Sequence, residues 1–357
     1  MSLGRKAWGI AAGALGMAAA GGAARMVQQQ RMIARRGAGD EVPLGSLRSP
    51  GLRVVADDGV DLHVEVDEPA SHVEPDLTVV FAHGYTLNLD SWHFQRAAYR
   101  GLVRTVFYDQ RSHGRSGRSA GENCTLEQLG RDLRRVVETT APGPVVVVGH
   151  SMGGMSLISF AQQFPELFGD KVVGSALIAT TAGGLDPGRI LFPMVPLGLG
   201  GRAVSRAVRV LDRGHLVVDR LRSAGHRVAQ VVADAYSFGE DVPRSYVDFV
   251  YRMIDSTPFE VVADFYPAFA TLDHFDHLEA LTRAPCSIIC GTEDKMTRLG
   301  HSRKLHSRIH GSDLFEAVGA GHMVILERHD DVNKELDQLF SRAAQLAQER
   351  EQQEPGS

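Results

Sequence analysis

Eight short apolar runs punctuate the body of the chain, at 52–55, 62–66, 77–82, 104–108, 145–148, 172–178, 286–290 and 314–318. The first two alternate polar and apolar positions around Asp57-Asp58-Gly59, the pattern of a hairpin at a sheet edge. By contrast, Val145-Val146-Val147-Val148 is apolar at every position, as a central parallel strand covered on both faces must be. Between the later runs the apolar period lengthens, predicting helices over 126–139 and 155–164, the second stopped by Pro165. Strand and helix in alternation predict an α/β fold: an eight-stranded, mainly parallel sheet with helices on both faces.

One stretch breaks the alternation. Residues 185–272 hold several helix-like patches and no buried-strand pattern, so we read an inserted helical cap at 185–275, between core segments at 41–184 and 276–342. Its first residues, Ile190-Leu191-Phe192-Pro193-Met194-Val195-Pro196-Leu197, suit packing of cap on core and equally an acyl-chain pocket or a lipid-facing lip. Beyond Phe340 the sequence turns Gln- and Glu-rich, predicting a fraying helix and a polar tail at 343–357.

The other end carries information about location. Residues 28–51 are polar and broken by Gly and Pro, as a linker would be, and residues 7–24 form an uncharged Ala- and Gly-rich run after Arg5 and Lys6. We assign 1–40 to a signal-like or membrane-anchor segment with its linker. A cleaved signal, with small residues at Ala18-Ala19-Ala20, and an uncleaved anchor both fit, so the expectation is a membrane-associated or exported protein; a solvent-exposed helix on a cytoplasmic protein is the alternative.

Composition narrows the classes further. With 43% hydrophobic and 23% charged residues the chain is globular in character. The first 36 residues hold six basic side chains and no acid, so the rest, with 43 acidic residues, is net acidic, which disfavours nucleic acid as a partner. Of three cysteines, Cys286 and Cys290 lie four apart in one strand and cannot pair, so no disulfide framework with Cys124 follows. Asn123-Cys124-Thr125 is a formal glycosylation acceptor.

The candidate chemistry sits at strand ends. Gly149-His150-Ser151-Met152-Gly153 follows a buried-strand run and precedes a helix, the setting of a nucleophile elbow, whose tight turn needs small residues two positions either side of the serine. A serine hydroxyl needs a base within hydrogen-bond reach and a third group to orient that base. His322, in Gly319-Ala320-Gly321-His322, is the candidate base, and Asp294, just past the strand at 286–290, the candidate acid, with neighbouring Glu293 as its competitor. His301, His306 and His310 are expected at the surface. Oxyanion donors in such a site come from the N–H after the nucleophile and one from the loop after strand 3, here Met152 and Tyr85 in His83-Gly84-Tyr85. Gly84 would allow close approach of the backbone, and the His83 side chain is expected to be structural.

Together these motifs resemble the capped α/β-hydrolase superfamily, esterase- or lipase-like, over roughly residues 50–340. Asp109-Gln110-Arg111-Ser112-His113-Gly114-Arg115-Ser116 resembles the superfamily's polar loop after strand 4, which the resemblance makes structural more often than catalytic. The resemblance implies a cofactor-free carboxylic ester hydrolase acting on a small-molecule or lipid ester through an acyl-enzyme. Its alternatives are a perhydrolase or haloperoxidase-like enzyme using the same three residues, and a non-catalytic ligand-binding member of the fold. Epoxide and haloalkane hydrolysis fit less well, since those relatives place Asp where Ser151 stands. Two weaker patterns are set aside. Gly198-Leu199-Gly200-Gly201-Arg202-Ala203 follows no strand, as a dinucleotide site requires, and Asp273-His274-Phe275-Asp276-His277 lacks zinc-ligand spacing and reads as a connector.

Overall fold

In the computed structural model, residues 42–70, 77–185 and 233–353 are described. Strand β1 (Gly51–Val55) turns back into β2 (Asp61–Asp67), and β2 also pairs antiparallel with β4 (Arg104–Tyr108). From β4 onward every neighbour is parallel, through β3 (Thr78–Ala82), β5 (Val145–His150), β6 (Val172–Ile178), β7 (Cys286–Gly291) and β8 (Asp313–Ala317). The spatial order is β1-β2-β4-β3-β5-β6-β7-β8. All eight expected runs are strands, shifted only at their ends.

The continuous valine run of β5 is explained by layers on both faces. Val145 and Val147 pack with α2 (Leu126–Thr140) and α3 (Met152–Gln163), whereas Val146 and Val148 pack with α1 (His93–Tyr99) and with the C-terminal helix described below. Helix α2 starts where the Thr125 hydroxyl accepts the Gln128 N–H at 3.1 Å, and it buries the stripe Leu126, Leu129, Leu133, Val136 and Val137.

The long connection from β6 to β7 contributes α4 (Arg244–Ser256) and α5 (Phe259–Ala270). Its two ends are joined by an antiparallel bridge between Gly183 and Asp273 and by the His274 N–H bonding the Ala182 carbonyl at 2.7 Å. The expected apolar entrance at 190–197, the Gly-rich 198–203 stretch and the N-terminal 7–24 run lie outside the described residues. Among the described residues, no helix is long and apolar enough to cross a membrane.

After β7 come α6 (Leu299–Arg308), β8, the short α7 (Val324–Glu327) and α8 (His329–Gln353). Three expectations need correction. Helix α3 begins at Met152 instead of 155, because its first turn is built from Gly153 and Gly154, which helix propensity disfavours but close packing requires. The helix expected after Phe340 is the last part of α8, which runs to Gln353, but it is no purely polar tail, since Ala343 and Ala347 are buried in the core; residues 354–357 are not described. Residues 42–50, expected as linker, are docked: the Gly45 N–H bonds His93 Nδ1 at 3.2 Å, the Ser49 N–H bonds Glu65 at 3.0 Å, and Leu44 packs on the core. All three cysteines are free and buried.

Candidate active site

Strand β5 delivers Ser151 into a turn with φ 53° and ψ −117°, a left-handed conformation that a residue with a Cβ adopts only under constraint. The constraint comes from both sides. The Ser151 N–H bonds the Ile178 carbonyl at 2.9 Å, and the Thr180 hydroxyl bonds the Ser151 carbonyl at 2.7 Å. Helix α3 presses against the end of β3, where a Cβ on Gly153 would lie 2.0 Å from the Ala82 carbonyl oxygen. The elbow is therefore possible only with glycine at that position.

Two loops bring the other residues to Ser151. Asp294 follows β7 and His322 follows β8, so both emerge at the sheet edge where β5 ends. His322 Nε2 is 2.9 Å from Ser151 Oγ, and His322 Nδ1 is 2.8 Å from Asp294 Oδ2. A carboxylate can only accept, which puts the proton on Nδ1 and leaves Nε2 to accept from the serine hydroxyl. Asp294 also accepts from the Met296 and Thr297 N–H groups at 2.8 and 2.9 Å on Oδ1, and from the Thr297 hydroxyl at 2.8 Å on Oδ2. Burial alone would raise the Asp294 carboxyl, but His322 and these donors outweigh it and hold its pKa below the usual carboxylate value. Competitor Glu293 has an exposed side chain and offers its backbone N–H to the Ala320 carbonyl at 2.9 Å.

The loop after β3 lies against the elbow, since a Cβ on Gly84 would come within 3.2 Å of Ser151 Cβ. Neither the Tyr85 N–H nor the Met152 N–H has an acceptor among the described residues. The Tyr85 side chain is tied to α5: its hydroxyl donates to the Val262 carbonyl at 2.7 Å and its ring meets Phe269 edge-on at 4.9 Å. His83 is fully buried and structural: Nε2 accepts the Gln110 N–H at 2.9 Å, so Nδ1 donates to the Gly84 carbonyl at 2.7 Å. Burial lowers its pKa to about 4, so it is neutral. The polar 109–116 loop is likewise occupied internally, with Arg111 paired to Asp132 at 2.6 Å and to Asp58 at 2.7 Å.

Of the remaining histidines, His306 and His310 are exposed as expected, but His301 is partly buried, with Nδ1 2.9 Å from the Thr181 hydroxyl. The 273–277 connector holds no metal cluster, and none is found among the described residues. Sequence reading missed Thr180 and Thr297. Thr297 had a local signal, lying three residues after an aspartate whose side chain caps the following turn. Thr180 acts across the fold and had none.

A serine elbow after β5, a buried aspartate after β7 and a histidine after β8, all at the same ends of parallel strands, define a hydrolase-type α/β architecture. The chain belongs to the alpha/beta hydrolase family, whose model matches residues 79–335. It is 27% identical over 273 residues to an uncharacterized protein of Mycobacterium tuberculosis, covering 72% of this chain and 73% of that one. It is also 26% identical over 254 residues to a monoacylglycerol lipase of Mycolicibacterium smegmatis, covering 70% and 81%. Among solved structures, the enol-lactonase from Burkholderia xenovorans LB400 superposes with a TM-score of 0.65 at 22% identity, over 81% of this chain and all of that one.

Proposed function

We propose that the protein is a serine hydrolase that cleaves carboxylic esters bearing a hydrophobic acyl or alcohol part, a small-molecule or lipid ester, through an acyl-enzyme. The observation that carries this reading is the unbroken hydrogen-bonded chain from Ser151 through His322 to Asp294. His322 Nε2 takes the Ser151 proton as Oγ adds to the ester carbonyl, and the Tyr85 and Met152 N–H groups receive the negative charge on the carbonyl oxygen. The imidazolium then protonates the departing alkoxide. Water, deprotonated by His322, attacks the acyl-serine; the acyl–Oγ bond breaks, the imidazolium returns its proton to Ser151 Oγ, and the acid is released. Asp294 stays ionised throughout and holds the imidazole in its productive tautomer.

The surroundings of the elbow are apolar: Met152, Met155, Val261, Phe265, Phe269 and Leu272 belong to a buried core cluster with Tyr85 packed against it, a setting that suits a hydrophobic substrate. The lipase relative supports the same class. Ser151→Ala is expected to lower kcat on nitrophenyl esters by about 10⁴-fold or more while the protein stays folded. A folded Ser151→Ala protein with most of the wild-type activity would contradict the proposal.

A further inference from the structure

The loop carrying His322 is held from several sides. The acid loop bonds Ala320, as described above, and His150 Nε2 lies 3.0 Å from the His322 carbonyl oxygen. Further contacts come from the insertion between β6 and β7 and from the residues just after His322. The Met323 N–H bonds the Ser237 carbonyl at 2.7 Å. Glu327, partly buried, accepts the Gly321 N–H on Oε1 at 2.7 Å, and on Oε2 the Gly239 N–H at 3.0 Å and the Glu240 N–H at 3.5 Å. Between them the two backbones touch: a Cβ on Gly239 would lie 2.1 Å from the Gly319 carbonyl oxygen, and one on Gly321 would lie 2.5 Å from the Gly239 nitrogen. Arg328 closes the outer edge, donating to Glu240 at 2.7 Å and to the Val318 carbonyl at 3.3 Å.

Each oxygen of Glu327 thus faces a different segment, one ending next to His322 and the other in the insertion. A carboxylate accepts on both sides, whereas an amide of the same shape must turn an NH₂ group towards one set of N–H donors. We propose that Glu327 is a positioning residue for His322, clamping Gly321 to Gly239 and Glu240 so that the insertion fixes where the imidazole stands relative to Ser151. The inference rests on the reading of His322 as general base. It makes the insertion a support for the catalytic histidine as well as a wall around the substrate.

The test compares wild type with Glu327→Gln well below the melting temperature of either. Three quantities are measured: kcat and KM on a nitrophenyl ester, the rate of fluorophosphonate labelling, and the downfield proton resonance of His322 Nδ1 by NMR. A displaced base lowers kcat and the labelling rate by roughly 10- to 100-fold with KM little changed, and the resonance shifts or broadens. A folded Glu327→Gln protein with wild-type labelling and an unmoved resonance would overturn the inference, as would a loss fully explained by its unfolded fraction. If that variant does not fold, amide exchange in the wild type decides. The Gly239 and Gly321 amides should exchange slowly and at matching rates, and a freely exchanging Gly321 in the folded protein would overturn the clamp. Wild type that neither hydrolyses esters nor labels at Ser151 would instead defeat the functional reading, while the His322 resonance and its dependence on Glu327 would still report on the clamp.

Discussion

At Asp294, four hydrogen bonds, from His322, the Thr297 hydroxyl and two backbone N–H groups, converge on one buried carboxylate. Replacing it with Asn keeps shape and burial but presents an amide that favours the wrong imidazole tautomer. Asp294→Asn is therefore expected to lower kcat by about 10⁴-fold with little change in KM, measured by steady-state ester hydrolysis. A variant within a few-fold of wild type would remove Asp294 from the mechanism. At this scale Ser151, Asp294 and His322 were legible because each follows an apolar strand run in a Gly-containing turn. Asp294 was separated from Glu293 by burial, which adjacent positions in a sequence do not reveal. Glu327 was illegible because its partner Gly239 lies 88 residues away in the chain.

Helix α3 and strand β3 meet so closely at Gly153 that the helix N-terminus can point at Ser151. Gly153→Ala would drive a methyl group into the Ala82 carbonyl, and such overpacking costs about 1–3 kcal/mol, more where backbone must move. We expect a lowered urea midpoint together with slower ester hydrolysis; an unchanged midpoint would mean that the packing at the elbow is looser than described. The strands were readable from sequence because burial on both faces writes continuous apolar runs. Helix ends were less so: the glycines of α3 and the Gln- and Glu-rich surface of α8 obscure helices whose existence depends on tertiary contacts, including Ala343 packed under Gly174 of β6.

Across the whole molecule, fully buried imidazoles couple folding to pH. Burial lowers His83 to about 4, and His113 and His150 to about 3, from an ordinary value of 6.5. Between those values and 6.5 the unfolded chain binds protons that the folded protein refuses. The stability is thus fully present above 6.5 and lost progressively as pH falls towards 4 and 3. Urea unfolding at equal ionic strength should give a lower free energy at about pH 5 than at about pH 7.5. Equal values would show that these rings ionise freely in the folded state.

The central claim is that Ser151 is the nucleophile activated by His322, and covalent labelling tests it most directly. A fluorophosphonate should add once per molecule, with the mass increment on the peptide containing Ser151. Labelling should vanish in Ser151→Ala and slow by orders of magnitude in His322→Ala. A folded wild-type protein that stays unlabelled, or carries the label elsewhere at the same rate in all three proteins, would contradict the account.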